Sequence, residues 1–98
     1  MENISFNWNV KKENINYKKH GIRFSEAETV FYDENAKEYF DPEHSEEEDR
    51  FLMLGMSRNL RVLVVSYCYR DSDKIIRIIS SRKADKNETM EYFAGGTK

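Results

Sequence analysis

The chain has 98 residues, 39% of them hydrophobic and 35% charged, with a formal net charge of −2. That length suits one domain over residues 1–98 with a single core, and the apolar fraction is too high for a disordered chain. No apolar run approaches the ~20 residues that span a bilayer, MENISFNWNV lacks the form of a signal peptide, and Cys68 stands alone; no membrane contact, no disulfide framework and a cytoplasmic setting are expected.

Charge is unevenly placed. Residues 1–60 hold 8 Lys/Arg against 13 Asp/Glu, whereas residues 61–98 hold 8 against 5. Either two faces meet different partners, or a solvated acidic loop sits beside an ordinary basic face.

In chain order, Asn9 is placed to cap a helix running to about His20. Lys18, Lys19 and His20 fill its last turn and Gly21 follows, a pattern that stops helices. Ser25-Glu26-Ala27-Glu28 has the form of a capping box and predicts a second, short helix through about Tyr32. Residues 36–40 read as a strand ended by Asp41-Pro42. Ser45 through Glu48 forms another capping-box pattern, which with His44 is expected to order the acidic loop. Three longer strands are predicted at 50–57, 61–70 and 74–81, joined by turns at Arg58-Asn59-Leu60 and Asp71-Ser72-Asp73. Asp85 and Glu88 then open a helix through about Phe93, with Gly95-Gly96 ending it and 95–98 a frayed tail. The expected architecture is α+β: a four-stranded antiparallel sheet with two N-terminal helices and one C-terminal helix.

The last strand poses a problem of charge. Simple alternation puts Ile76, Ile78, Ser80 and Arg82 on one face and Ile75, Arg77, Ile79 and Ser81 on the other. With Ile76 and Ile78 in the core, Arg77 lies on a partly open face. Arginines and tyrosines on such a face suit a nucleic acid backbone and its bases; arginines paired with carboxylates are the plainer reading. Phe6 and Trp8 are expected to anchor the core, and Cys68 to be an inert core residue.

Four blocks of residues, in order over almost the whole chain, carry a resemblance to a known family. The first is Phe6 and Trp8, continuing through Lys12 and Asn16 to Lys19-His20-Gly21-Ile22, Phe24 and Glu26-Ala27. The second is Asp41-Pro42-Glu43-His44-Ser45 with Glu48 and Arg50, and the third is Gly55 with Ser57. The fourth is Arg77-Ile78-Ile79-Ser80, then Arg82-Lys83-Ala84, Glu88 and Tyr92. With these spacings the chain resembles the BrnT-type toxins of bacterial type II toxin–antitoxin systems, whose fold is similar to that of RelE-like ribonucleases. It departs from their pattern at Asn9 and Asp85, where the family more often has Asp and Thr or Ser, and in the unbroken acidic run Glu46-Glu47-Glu48-Asp49.

The resemblance implies a metal-independent endoribonuclease that inhibits translation and growth. It implies neutralisation by a cognate BrnA-like antitoxin in a hetero-oligomer, with operator DNA reached only through the antitoxin. In such a reaction a 2′-hydroxyl attacks its own adjacent phosphate, which requires proton removal, stabilised phosphoryl oxygens and a protonated leaving group. Arg82 is the leading catalytic candidate, with Lys83 and Arg77 binding phosphate and Arg58 and Arg61 completing that set. Lys19 and His20 form a second cluster, although cations at a helix C-terminus are also favoured by the helix dipole. Tyr92 offers a hydroxyl or a stacking surface, or simply packs on the sheet; Arg82 likewise has Glu88 available as a salt-bridge partner. Two histidines and one cysteine show no metal-ligand spacing, so neither metal nor cofactor is expected. The competing reading is a non-catalytic protein- or RNA-binding module of the same fold.

Overall fold

A computed structural model describes residues 4–95. Of the expected frayed tail, 96–98 lie outside the described residues, and Gly95 is the last residue of the C-terminal helix.

The chain begins with a short strand β1 (Ser5–Asn7) and a helix α1 (Val10–His20). Both ends of α1 are set by local chemistry. The Asn9 side chain accepts the Lys12 N–H at 3.0 Å, and Gly21 closes the helix at φ 72°, donating its N–H to the Tyr17 carbonyl at 2.8 Å. Next come α2 (Phe24–Ala27), a 3-10 segment (Glu28–Tyr32) and β2 (Lys37–Phe40). A 3-10 turn at Pro42–His44 leads to β3 (Arg50–Met56), β4 (Val62–Arg70), β5 (Ile75–Lys83) and α3 (Lys86–Gly95).

Two expectations about the elements need correction. The sheet has five strands in the order β1-β5-β4-β3-β2, and it is mixed: β1 lies parallel to β5 while every other pair is antiparallel. Three residues around Phe6 carry too little alternation to read as a strand, and their partner is some seventy positions away. The expected second helix is one turn of α-helix that tightens to 3-10. Ser25 does not cap it; Arg23 occupies that position without a side-chain cap bond. Ser45 likewise starts no helix. Its hydroxyl donates to the Asp41 carbonyl at 2.6 Å and accepts the Arg50 N–H at 2.8 Å, tying the acidic loop to β3.

Paired residues share a face of the sheet, which settles the layers. Helix α1, α2 and the 3-10 segment cover one face, where Ile22, Phe24, Val30, Leu63, Val65, Tyr67, Ile76 and Ile78 form the main core, with Phe6 and Trp8 packed against it. Helix α3 covers part of the other face, where Tyr92 packs with Leu54 and Val64. No helix among the described residues is long and apolar enough to cross a membrane.

Strand β5 carries an irregularity that changes which residues share a face. Its register against β4 shifts between Ser66, paired with Ser80, and Tyr67, paired with Ile78, so Ile79 is an extra residue. Such a bulge inverts the alternation beyond it. Arg82, paired with Val64, therefore lies on the α3 face together with Arg77, paired with Cys68, and not with Ile76 and Ile78. Ser81 moves the other way, into the α1 side of the sheet.

Candidate nucleic-acid interface

Several elements end together at one edge of the sheet. The β3–β4 turn closes through Leu60 N–H to Ser57 carbonyl at 2.9 Å and Ser57 N–H to Arg61 carbonyl at 2.8 Å. Just past the end of β5, Ala84 N–H bonds the Val62 carbonyl at 2.9 Å, and Arg61 reaches the Gly21 carbonyl at the C-terminus of α1 at 3.4 Å. This convergence brings six sequence-predicted residues to one end of the molecule: Lys19 and His20 on α1, Arg58 and Arg61 at the turn, and Arg82 and Lys83 on β5. Arg77 is not among them; it sits further back on β5 and donates to Asn7 Oδ1 at 3.1 Å.

These cations are not equally available. Arg61 grips Glu26, donating from Nε at 2.9 Å and from Nη2 in a second, shorter bond, while Ser57 Oγ donates to the same carboxylate at 2.6 Å. Hydrogen bonds from Arg61 hold the Glu26 carboxyl below its usual range although burial opposes this. Arg82 makes a bidentate pair with Glu88, at 2.7 and 2.9 Å. Glu88 also accepts the Asp85 N–H at 2.8 Å, and Asp85 accepts the Glu88 N–H at 2.8 Å, so the expected capping box opens α3 and orients Arg82 as well. The bond to Arg82 pulls the Glu88 carboxyl down. Among the described residues, the side chains of Lys19, His20, Arg58 and Lys83 have no such partner.

The position of Lys19 and His20 depends on Asn16. Strand β1 pairs with β5 only through Arg77, which leaves the second half of β5 without a strand on the side opposite β4. The buried Asn16 carboxamide takes that role. It accepts the Ser81 N–H at 3.1 Å and donates to the Ser81 carbonyl at 2.9 Å and the Ile22 carbonyl at 3.1 Å. One turn further along α1, Lys19 and His20 line a groove with Lys12, Ile79 and Ser80.

Tyr92 does not line the groove of Lys19 and His20; it borders a separate cavity of about 690 Å³ also lined by Thr29, Tyr32, Asp33, Asn35, Arg58 and Phe93. Its buried hydroxyl donates to Asp33 Oδ2 at 2.6 Å; burial and that bond push its pKa up to about 12. The Tyr92 hydroxyl therefore stays protonated near neutrality. Burial pushes the Asp33 pKa up, but the bond from Tyr92 together with N–H bonds from Met56 at 2.8 Å and Asn35 at 2.9 Å outweighs this and holds the carboxyl below its usual range.

His44 is remote from the basic end. The Pro42–His44 turn brings potential ligand atoms of Asp41, Glu43 and His44 within 4.8 Å of one another. His44 Nδ1 and Asp41 Oδ2 are already bonded to each other at 2.8 Å.

Sequence reasoning did not assign roles to Asn16, Glu26 or Asp33, because each acts through a partner distant in the chain. It also passed over Tyr32 and Phe93, whose exposure is visible only once the 3-10 segment and α3 are in place.

The family described as "Ribonuclease toxin, BrnT, of type II toxin-antitoxin system" matches residues 8–88. The crystal structure of the Brucella abortus ribonuclease toxin BrnT is similar in fold, with a TM-score of 0.65 and 22% identity, covering 85% of this chain and 99% of that one. Comparison with curated proteins finds no match. The described geometry and the family match lead to one conclusion: the chain belongs to the BrnT family of ribonuclease toxins of type II toxin–antitoxin systems.

Proposed function

We propose that this chain cleaves RNA without a metal, at the end of the sheet where α1, the β3–β4 turn and β5 converge. The observation that carries this reading is the gathering of Lys19, His20, Arg58 and Lys83, unpartnered among the described residues, at that end. Free cations there attract the phosphate backbone and stabilise charge on the phosphoryl oxygens. Histidine is the side chain suited to moving protons near neutrality, so His20 is assigned the proton transfer, with Lys19 and Lys83 on the phosphate. Arg82 adds a guanidinium whose side chain is 43% exposed despite its pair with Glu88. Its fork is held ready rather than free, and it would exchange or share Glu88 when phosphate arrives. Tyr92 supplies shape, since its hydroxyl is bonded to Asp33. Arg77 makes a peripheral backbone contact and Arg61 a positioning one.

The balanced step is attack of a 2′-oxygen on the adjacent phosphorus, breaking the bond to the 5′-oxygen and leaving a cyclic phosphate and a 5′-hydroxyl. The natural consequence is inhibited translation and growth. A BrnA-like antitoxin in a hetero-oligomer would restrain the toxin by covering the basic end, and operator DNA would be met only through that partner. The site chemistry suits a cytoplasmic protein acting on cellular RNA.

The purified chain is expected to cut single-stranded RNA in excess EDTA, giving 2′,3′-cyclic phosphate ends. His20→Ala is expected to lower the rate roughly 100-fold or more, the scale of a lost proton-transfer group. Lys83→Ala should lose less, and its effect should shrink at high salt. RNA left intact by the wild-type chain would favour the non-catalytic binding module instead; cleavage that disappears with EDTA would remove the metal-free mechanism.

A further inference from the structure

The cavity beside Tyr92 lies apart from the groove of Lys19 and His20 and has its own chemistry. We propose that it is a nucleotide subsite, in which one unpaired base of the RNA stacks against Tyr32 and Phe93 while Arg58 holds a neighbouring phosphate. This rests on RNA being the ligand, as proposed above, and adds where the strand is read.

Three observations carry it. First, the cavity holds about 690 Å³, within the range of small-ligand sites, and it is lined by two aromatic rings that are exposed among the described residues. Tyr32 is 61% and Phe93 52% exposed. Aromatic faces of this kind hold unpaired bases, whatever the sequence. Second, Arg58 is, among the described residues, the arginine whose guanidinium has no partner in the chain. Arg23 lies over the Tyr17 ring, Arg77 bonds Asn7, and Arg50, Arg61, Arg70 and Arg82 pair with glutamates. Third, the base of Arg58 is fixed. Its N–H donates to Thr29 Oγ1 at 2.9 Å, and the turn around it is tied by the Ser57 hydroxyl, which accepts the Asn59 N–H at 3.2 Å. A cation is thus held at the rim with its head group free.

The remaining polar groups fit the same ligand. The Asn35 carboxamide belongs to the lining, and such a group carries both a donor and an acceptor that suit a base edge. Asp33 is the acidic side chain in the lining, and its oxygens are turned to Tyr92, Met56 and Asn35. Its charge is directed into the wall and away from the space.

The test uses a short single-stranded 2′-O-methyl oligoribonucleotide, which has no free 2′-nucleophile, and reads binding by fluorescence anisotropy. Phe93→Ala and Tyr32→Ala are each expected to weaken Kd roughly 5- to 100-fold, the scale of one lost base stack. Tyr32→Trp, which keeps a stacking face, should retain binding and guards against a mere loss of folding. Arg58→Ala should weaken binding and reduce the slope of log Kd against log salt by about one. Kd values within twofold of wild type in both alanine variants overturn the subsite. The same holds if those variants lose only the antitoxin polypeptide. Cleavage of unmodified RNA is measured in parallel. Stacking-dependent binding without cleavage keeps the subsite and removes the ribonuclease reading. Cleavage with unchanged KM in the alanine variants removes the subsite and keeps the ribonuclease reading. Neither binding nor cleavage by the wild-type chain overturns both.

Discussion

Asn16→Leu is expected to destabilise the chain by about 2–4 kcal/mol, although leucine has the same number and branching of side-chain heavy atoms as asparagine. Asn16 is 7% exposed, and its carboxamide supplies both an acceptor and a donor to Ser81 and a further donor to Ile22. Leucine fills the volume but leaves one N–H and two carbonyls without partners in a buried place. The cost of such orphaned groups exceeds the gain from a more apolar side chain. For a domain of this size the thermal midpoint should fall on the order of 10–20 °C. Circular dichroism melting checks this, and a variant within about 1 kcal/mol of wild type would mean that β5 does not depend on Asn16. The functional readout follows from position. Lys19 and His20 ride on the same helix, so a folded Asn16→Leu chain assayed below its melting point should cut RNA more slowly.

The second large effect concerns Glu26. Glu26 is 4% exposed and holds Ser57 and Arg61, and with them the β3–β4 turn that presents Arg58. Glu26→Ala strands the Ser57 hydroxyl and leaves the Arg61 guanidinium beside an apolar gap. A fully buried pair broken this way costs about 3–5 kcal/mol; the Arg61 side chain is 33% exposed and can turn to water, so about 2–3 kcal/mol is expected. The sign with pH is also fixed. Arg61 lowers the Glu26 pKa in the folded chain below its ordinary 4.5, so the stabilisation is full above that value and is lost as pH falls through the folded value. Glu88 acts in the same direction through Arg82. Wild-type stability should therefore decline below about pH 4.5, and Glu26→Gln should show a shallower decline. Urea midpoints measured from neutrality to about pH 3 decide it; parallel curves for the two proteins would refute the linkage.

Much of the architecture was legible because it is decided within a few residues. Asn9 and Gly21 bracket α1, and Asp85 and Glu88 open α3, since a cap bond joins groups three positions apart. The three long strands and their turns were legible for a similar reason, as β-rich runs punctuated by Arg58-Asn59-Leu60 and Asp71-Ser72-Asp73. The two turns use left-handed backbone at Leu60 and at all three of Asp71, Ser72 and Asp73, conformations that Asp tolerates better than most residues.

The distribution of charge was not legible in the same way. The sequence shows that arginines crowd the C-terminal half, but not that Arg61 belongs to Glu26, thirty-five positions earlier, or that Arg58 has no ion-pair partner among the described residues. A guanidinium is claimed by whichever acid the folded backbone brings within reach, and that is a property of packing.

Composition, caps and strand runs alone determined an α+β chain with a basic C-terminal half, and the four blocks of matching residues pointed to its family. Only the tertiary structure decided the rest: a first strand that pairs in parallel with β5, and the Ile79 bulge that turns Arg82 to the face of Arg77. It also separated the free cations from the paired ones. The physical reason is range. Caps and turns are closed by neighbours in the chain, whereas a bulge, an edge covered by an asparagine side chain and the choice of an ion partner arise only when distant segments meet.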